Sequence, residues 1–214
     1  MHGRSFLEYV SLEVLKLYEE IDEKIALFKS ETGIDCVRDC GECCWKGRAK
    51  MVPLEFLPLA FELFRRELLF NYIDIIKGKE NDVCVFYRGD LCDPKKGFCS
   101  FYRLRAATCR LYGFGFKRNK YGFYEPVMCD YLKERYLRRG LDLETLPLVD
   151  YDSIMIRLVS LCFPLGLERY PVNQAILVAL NKVAILGLAS FTHDHYEGYS
   201  DNKEGAQCKK NRVN

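Results

Sequence analysis

Cys36-Val-Arg-Asp-Cys40-Gly-Glu-Cys43-Cys44 is the stretch that decides how this chain reads. It packs four thiols into nine residues. Sulfurs this dense are rarely all core packing, and neighbouring cysteines are poorly placed to bridge one another. The arrangement suits a soft metal, whose small coordination sphere needs sulfurs converging from a tight loop. Gly41 fits that reading, because a loop folding around an ion often needs close backbone approach or a positive φ.

Working outward, Cys84, Cys92, Cys99, Cys109 and Cys129 form a second set in an irregular stretch, residues 81–129. There the short segments VCVFY and RLYGFGF alternate with the turn formers RGD, DPKKG and KRNKYG. Metal sites draw ligands from separated segments because binding free energy substitutes for a local hydrophobic core. Four thiols make one tetrahedral zinc site or one 4Fe–4S cluster, and eight make two such sites. Thiolate-only sites serve both metals. The crowding of Cys43 and Cys44 tilts the balance slightly toward a cluster, whose irons can share close sulfurs.

The frame around these loops reads as helix. Leu7, Val10, Val14, Leu17, Ile21, Ile25 and Phe28 recur at helical steps over residues 5–30, with acids on the other face and Gly33 as the stop. Residues 49–52 predict a short strand. Pro53 starts a second helix running to Lys77, and Pro58 predicts a kinked or separate first turn. KRNKYG predicts a β-hairpin between Leu111 and Glu125, followed by a helix over 126–139 ending at Gly140. Helices follow over 151–163 and 171–191, broken by Pro164, Gly166 and Pro171, and then a polar tail. The fold class is mainly α: helices around an irregular cysteine-rich metal-binding centre with a small hairpin. Residues 1–140 read as the helical cysteine-cluster domain, and 141–214 as a helical subdomain packed on it.

Composition bounds the function. The 214 residues are 49% hydrophobic and 29% charged, which is ordinary for a globular chain with a sizeable core. A net charge of +2 implies no general attraction to nucleic acid or membrane. Eleven cysteines, an odd number, argue against a complete disulfide framework. The acid-bearing N-terminus does not read as a secretory signal, so the expected compartment is the reducing cytoplasm. The apolar run 175–191 contains Asn181 and Lys182 and reads as a buried helix, not a membrane span.

Three motifs in order carry a family resemblance: C-x3-C-G-x-C-C, then C-V-F-Y from Cys84, then C-S-F-Y-x-x-R-x-x-x-C-R from Cys99. Together they resemble the YkgJ-type CxxCxxCC cysteine-cluster family, a zinc- or iron-chelating domain, over about residues 36 to 115. The resemblance implies metal ligation by Cys36, Cys40, Cys43, Cys44, Cys84, Cys99 and Cys109. Related clusters occur in flagellin lysine N-methylases, so it also admits a distant methyl-transfer activity. Two departures stand out. Three residues separate Cys36 from Cys40 where the family has two, and Arg105-Ala106 stands where it has Arg-Pro. Cys129, which opens a helix beside the hairpin, is taken as an eighth ligand, with Cys92 in reserve.

Other features weigh less. Cys162 reads as a small buried hydrophobe, Cys208 as a free tail thiol, and His193-Asp-His195 as a solvated helix end. Arg103, Arg105 and Arg110 surround Cys109 and either lower thiol pKa values or form a solvated face. Basic residues between Lys117 and Arg139, with Tyr121, Tyr124, Tyr131 and Tyr136, allow RNA or protein contact, although aromatics at this spacing are more often core. Cys36-x3-Cys40-x2-Cys43 matches the radical-SAM signature, yet the chain lacks that class's alternation of strands and helices. No P-loop, dinucleotide fingerprint, nucleophile elbow or HExxH is present. The leading reading is thus a metal-binding protein holding an iron–sulfur cluster or zinc. A cluster-dependent methyltransferase-like or redox enzyme and a zinc-stabilised RNA- or protein-interaction module are the alternatives.

Overall fold

The helical rhythm at the start of the chain becomes α1 (Phe6–Thr32). Ser5 and Glu8 form a reciprocal capping box at its N-terminus, and Gly33, at φ 62°, closes it by donating its N–H to Lys29. The computed structural model describes residues 5–37, 39–46, 49–79, 83–90, 92–93, 95–143 and 145–187. The expectations for His193, His195, Cys208 and the polar tail lie outside these residues. Val10, Val14, Leu17, Tyr18, Ile21, Ile25 and Phe28 are buried along one stripe of α1, the pattern that drives an amphipathic helix onto a core. Phe28 meets Phe114 and Phe116, and so joins α1 to the hairpin region.

After the cysteine loop come α2 (Glu42–Lys46), β1 (Lys50–Met51) and a 3₁₀ turn over Pro53–Phe56. In the span 53–77 the first turn is separate, as Pro58 predicts, but the rest is two helices, α3 (Leu57–Arg65) and α4 (Leu69–Lys77), where one was expected. Pro58 falls in the first turn of α3, where a missing N–H costs nothing. The second break lies at 66–68, where Glu67 adopts φ 60°. There the buried carboxylate of Glu62 accepts bonds from both Arg65 and Arg66, which fastens the chain reversal.

The irregular region is built from β2 (Tyr87–Gly89), β3 (Gly97–Cys99), a 3₁₀ turn (Tyr102–Leu104) and α5 (Ala107–Leu111). The predicted hairpin is present as β4 (Gly115–Arg118) and β5 (Tyr124–Val127), closed by Gly122 at φ 87°. The following helix, α6 (Asp130–Arg138), starts later than expected because Pro126 belongs to β5. Strand β5 lies at the edge of a sheet ordered β5-β4-β6, where a proline is tolerated. The third member, β6 (Val149–Asp150), pairs parallel to β4.

The chain continues through α7 (Tyr151–Leu161), α8 (Phe163–Gly166), β7 (Tyr170–Pro171) and α9 (Val172–Gly187). Cys162 is buried between α7 and α8, as its apolar neighbours predict. Helix α9 packs on α3, α4 and the Pro53–Phe56 turn, while α1 packs on α3, α5 and α7. Strand β7 pairs with β1, so the start of α9 is tied to the chain just beyond the cysteine loop. The architecture is mainly helical with small two- and three-stranded sheets and an irregular cysteine-rich region, as the sequence predicts. No helix among the described residues is long and apolar enough to cross a membrane.

Candidate metal centre

The first cysteine loop is lashed to the β2–β3 connection by backbone. Cys40 forms an isolated bridge with Lys96, Gly41 donates to Lys95 O at 2.9 Å, and Gly97 donates to Asp39 O at 2.9 Å. Asp39 takes φ 60°, a left-handed conformation unusual outside glycine. Gly41 and Gly97 are both needed for this closeness. A Cβ on Gly41 would stand 2.5 Å from Tyr87 Oη, and one on Gly97 would stand 2.8 Å from the same atom. The Tyr87 ring is wedged between the two strands of backbone.

Cys43 and Cys44 lie on α2, one turn long, with sulfurs 4.0 Å apart. Cys43 is the readily ionised thiol. A hydrogen bond from the Cys44 thiol, with further help from the N–H groups of Cys44 and Cys43, pulls it down to about 7 against burial. Cys44 moves up, because it gives that hydrogen bond and is desolvated.

The second region closes on the first. Cys84 N–H points at Cys44 O at 3.5 Å. Desolvation raises the Cys84 thiol, partly offset by the N–H groups of Phe86 and Tyr87, which favour its thiolate. Cys99 lies opposite Tyr87 across the β2–β3 ladder. Cys109 sits in α5 and is pushed well above the ordinary thiol range by desolvation and then by the charges of Cys84, Glu55, Cys99 and Cys43. Cys36 is exposed as a residue, yet enough chain surrounds its sulfur that desolvation leads its rise to about 11, followed by the charges of Cys129, Cys40 and Cys43. Cys129 is the residue just before α6, and its thiol makes no capping hydrogen bond there.

These electrostatic neighbours sort the thiols. Cys44, Cys84, Cys99 and Cys109 share one neighbourhood, Cys36, Cys40 and Cys129 share another, and Cys43 faces both. Cys92 is exposed in the β2–β3 connection, its N–H bonded to Asp90. Among the described residues, no three cysteine, histidine or acidic side chains are drawn together as tightly as an ion requires. The donor chemistry nevertheless fits a soft metal. All the gathered groups are sulfur, and two of them have backbone N–H groups that stabilise a thiolate.

Three supports hold the site: two lie outside the cysteine motifs, and the third closes the C-V-F-Y motif itself. Asn173, on α9, accepts from Val85 N–H at 2.9 Å and donates to Val83 O at 3.0 Å, clamping the turn that carries Cys84. Glu55 is fully buried and accepts from Thr108 N–H at 2.6 Å, Thr108 Oγ1 at 3.0 Å and Val52 N–H at 3.1 Å, which fixes α5 beside Cys109. Tyr87 is the third. A lone carboxylate inside the apolar run PLEFLPLAF was the available signal for Glu55. The expected arginines do something else. Arg105 and Arg110 both reach Asp22 on α1, at 3.3 and 2.6 Å. The basic, tyrosine-rich segment is largely exposed, and several of its cations stack on its own tyrosines. Arg118, Lys120 and Arg135 stack on Tyr124, Tyr121 and Tyr131, Tyr136 is buried, and Arg139 bonds the Thr32 carbonyl at the end of α1.

The site is a thiol-rich region on a helical frame. The family model CxxCxxCC, described as "Putative zinc- or iron-chelating domain", matches residues 35–130, just under half the chain. The match covers all three motifs on which the resemblance rests, and shows what this segment is similar to. The chain matches no curated protein and no solved structure.

Proposed function

We propose that the protein holds its metal on Cys36, Cys40, Cys43, Cys44, Cys84, Cys99, Cys109 and Cys129, in two thiolate sets, one of Cys44, Cys84, Cys99 and Cys109 and one of Cys36, Cys40 and Cys129, with Cys43 facing both. The observation that carries this is the meeting of both cysteine regions: Cys44 feels the charges of Cys109 and Cys84, and Cys36 feels that of Cys129. Loading draws these sulfurs in and releases their protons, so binding and local folding are one process.

The Cys43–Cys44 spacing of 4.0 Å favours a single tetrahedral ion there. Zinc–sulfur bonds of about 2.3 Å set a tetrahedral edge of about 3.8 Å. In a 4Fe–4S cluster each thiolate takes a separate iron, so sulfurs stand farther apart. Zinc is therefore the first reading, which reverses the tilt toward a cluster taken from the crowding of Cys43 and Cys44 in sequence. The enclosure of Cys84 and Cys109 favours an iron–sulfur cluster as the second, since burial and N–H bonds to sulfur tune such clusters. The role is structural or electron-carrying accordingly, and the cytoplasm is the compartment consistent with free thiols.

Anaerobic purification with a visible spectrum and elemental analysis decides. Colourless protein carrying zinc supports the first reading, and brown protein with about four irons supports the second. Protein that retains neither metal, and gains neither on reconstitution, refutes both.

A further inference from the structure

Away from the thiols, the β4–β5 hairpin ends in a turn that holds two aromatic rings in solvent. Tyr121 is 70% and Phe123 71% exposed. Asn119 builds the turn. Its side-chain oxygen accepts the N–H groups of Tyr121 and Phe123 at 2.9 and 3.1 Å, and its side-chain amide donates to Glu125 at 3.0 Å. Its backbone N–H donates to Phe123 O, and its carbonyl accepts from Gly122 N–H, both at 2.9 Å. Single exposed aromatics are ordinary on protein surfaces. A pair raised on one bonded turn is different, because its backbone is ordered before any partner arrives. Lys117 pairs with Glu125 across the ladder, and Phe123 lies two residues before Glu125. The Lys117 side chain and the Phe123 ring therefore share one face of the hairpin. Among the described residues, no ion pair engages Lys117 or Lys120. Lys120 lies 4.8 Å over one face of the Tyr121 ring. Arg118 is not free, since it is bonded to Tyr124 Oη at 3.1 Å and stacked on that ring. Charge gathers here as well. Residues 117–139 hold seven basic side chains against three acidic ones, while the whole chain has a surplus of only two.

We propose that the tip of this hairpin docks single-stranded nucleic acid, with bases stacking on Phe123 and the open face of Tyr121 and phosphates meeting Lys117 and Lys120. Every base offers a π-face and every linkage a negative charge, so two rings beside two unpaired ammoniums complement both parts of such a strand. An acidic polypeptide would use the ammoniums and leave the rings unmatched. A flat anionic membrane would press on the acids that flank the tip, Glu125 and Asp152, the latter 3.2 Å from the N–H of Arg118. A single strand contacts the rings and ammoniums without covering those acids. A duplex keeps its bases stacked on one another and presents no π-face to the rings. The site does not depend on which metal the thiols hold.

The test is fluorescence anisotropy of a labelled oligothymidylate of about 20 nucleotides, titrated with the full chain as purified. Saturable binding is expected below about 100 μM, at least tenfold tighter than to a duplex of the same length. Phe123→Ala and Tyr121→Ala should each weaken it at least fivefold, with folding checked by circular dichroism, since stacking one base is worth about 5- to 150-fold. Replacing Lys117 and Lys120 together by alanine should make the slope of log affinity against log salt shallower by about 1.4, the share of two phosphate contacts on a single strand. Phe70→Ala and Lys77→Ala, exposed positions on α4, should leave both readings unchanged. The proposal is overturned if the oligonucleotide fails to saturate, if the duplex binds as tightly, or if Phe70→Ala costs as much as Phe123→Ala. It is overturned equally if labelled polyglutamate or phosphatidylserine vesicles bind as tightly as the oligonucleotide, which would make the tip a site for an acidic polypeptide or a membrane.

Discussion

Gly41→Ala tests whether the cysteine loop is seated by the Tyr87 wedge. The added Cβ would lie 2.5 Å from Tyr87 Oη and 2.7 Å from Cζ. Relaxed carbon contacts sit at about 3.5–4.0 Å, so loop and ring must part by about 1 Å. The ring has little room to yield, because Gly97 closes its other side. The loop must therefore lift, straining the Gly41 bond to Lys95 and the Gly97 bond to Asp39, both 2.9 Å. Overpacking of this kind costs about 1–3 kcal/mol, and expressed at the ion it is a loss of about 5- to 150-fold in metal affinity. Anaerobic competition against a chromogenic chelator measures it. Tyr87→Ala should weaken binding as well, but Gly41→Ala added to it should cost little, because the obstacle is gone. An affinity for Gly41→Ala within twofold of the parent, or a strictly additive double-mutant cycle, would refute the wedge.

Other consequences can be measured alongside. Asn173→Ala removes two bonds to the Cys84 turn and should lower stability by about 1–3 kcal/mol, with weaker metal retention, by urea unfolding and chelator challenge; unchanged retention would mean the clamp is irrelevant to the site. Glu55→Gln keeps the shape but puts an amide donor among three donors, so it should destabilise by about 1–3 kcal/mol. Cys43, with a thiol near 7, should be the first of the cluster cysteines alkylated by iodoacetamide in metal-free protein at neutral pH, ahead of Cys36 near 11; peptide mass spectrometry reads the order, and Cys36 reacting first would contradict it. Because the folded chain favours the protonated thiols of Cys36, Cys44, Cys84 and Cys109, their stabilising contribution is complete below the ordinary thiol value of 9.0. It is lost as pH rises through about 11 for Cys36, so the metal-free protein should weaken toward urea across that window. A flat urea midpoint over that range would speak against desolvated thiols.

What the sequence revealed followed from what is local. Helix α1 was legible because its apolar stripe, acidic face and terminal glycine agree within one segment. The hairpin was legible because KRNKYG is turn chemistry between aromatic strands. The break at 66–68 was not, since Glu67 in a left-handed conformation leaves no mark of its own and is fixed by the tertiary burial of Glu62. The late start of α6 was missed because an edge strand accepts Pro126. The same divide runs through the site. Cysteine spacing pointed to metal, but Asn173 and Glu55 reach the cysteine segments from 88 and 53 residues away in sequence.

Helix α5 shows why those distant supports matter. Five residues are too few for a helix to hold itself together in water, where isolated helices below about 12–15 residues are marginal. Its position is imposed from outside, by Glu55 on Thr108 and by Asp22 on Arg110. Cys109 lies between those two residues, so the hydrophobic frame fixes where its sulfur stands. Helix α2 is equally short and is held by backbone bonds to the β2–β3 connection and to Cys84. Each thiol-bearing segment is thus too short to be stable alone and is fastened at its ends to elements that are. A metal closing across such segments would add cross-links where secondary structure is weakest, which is where binding free energy contributes most to folding.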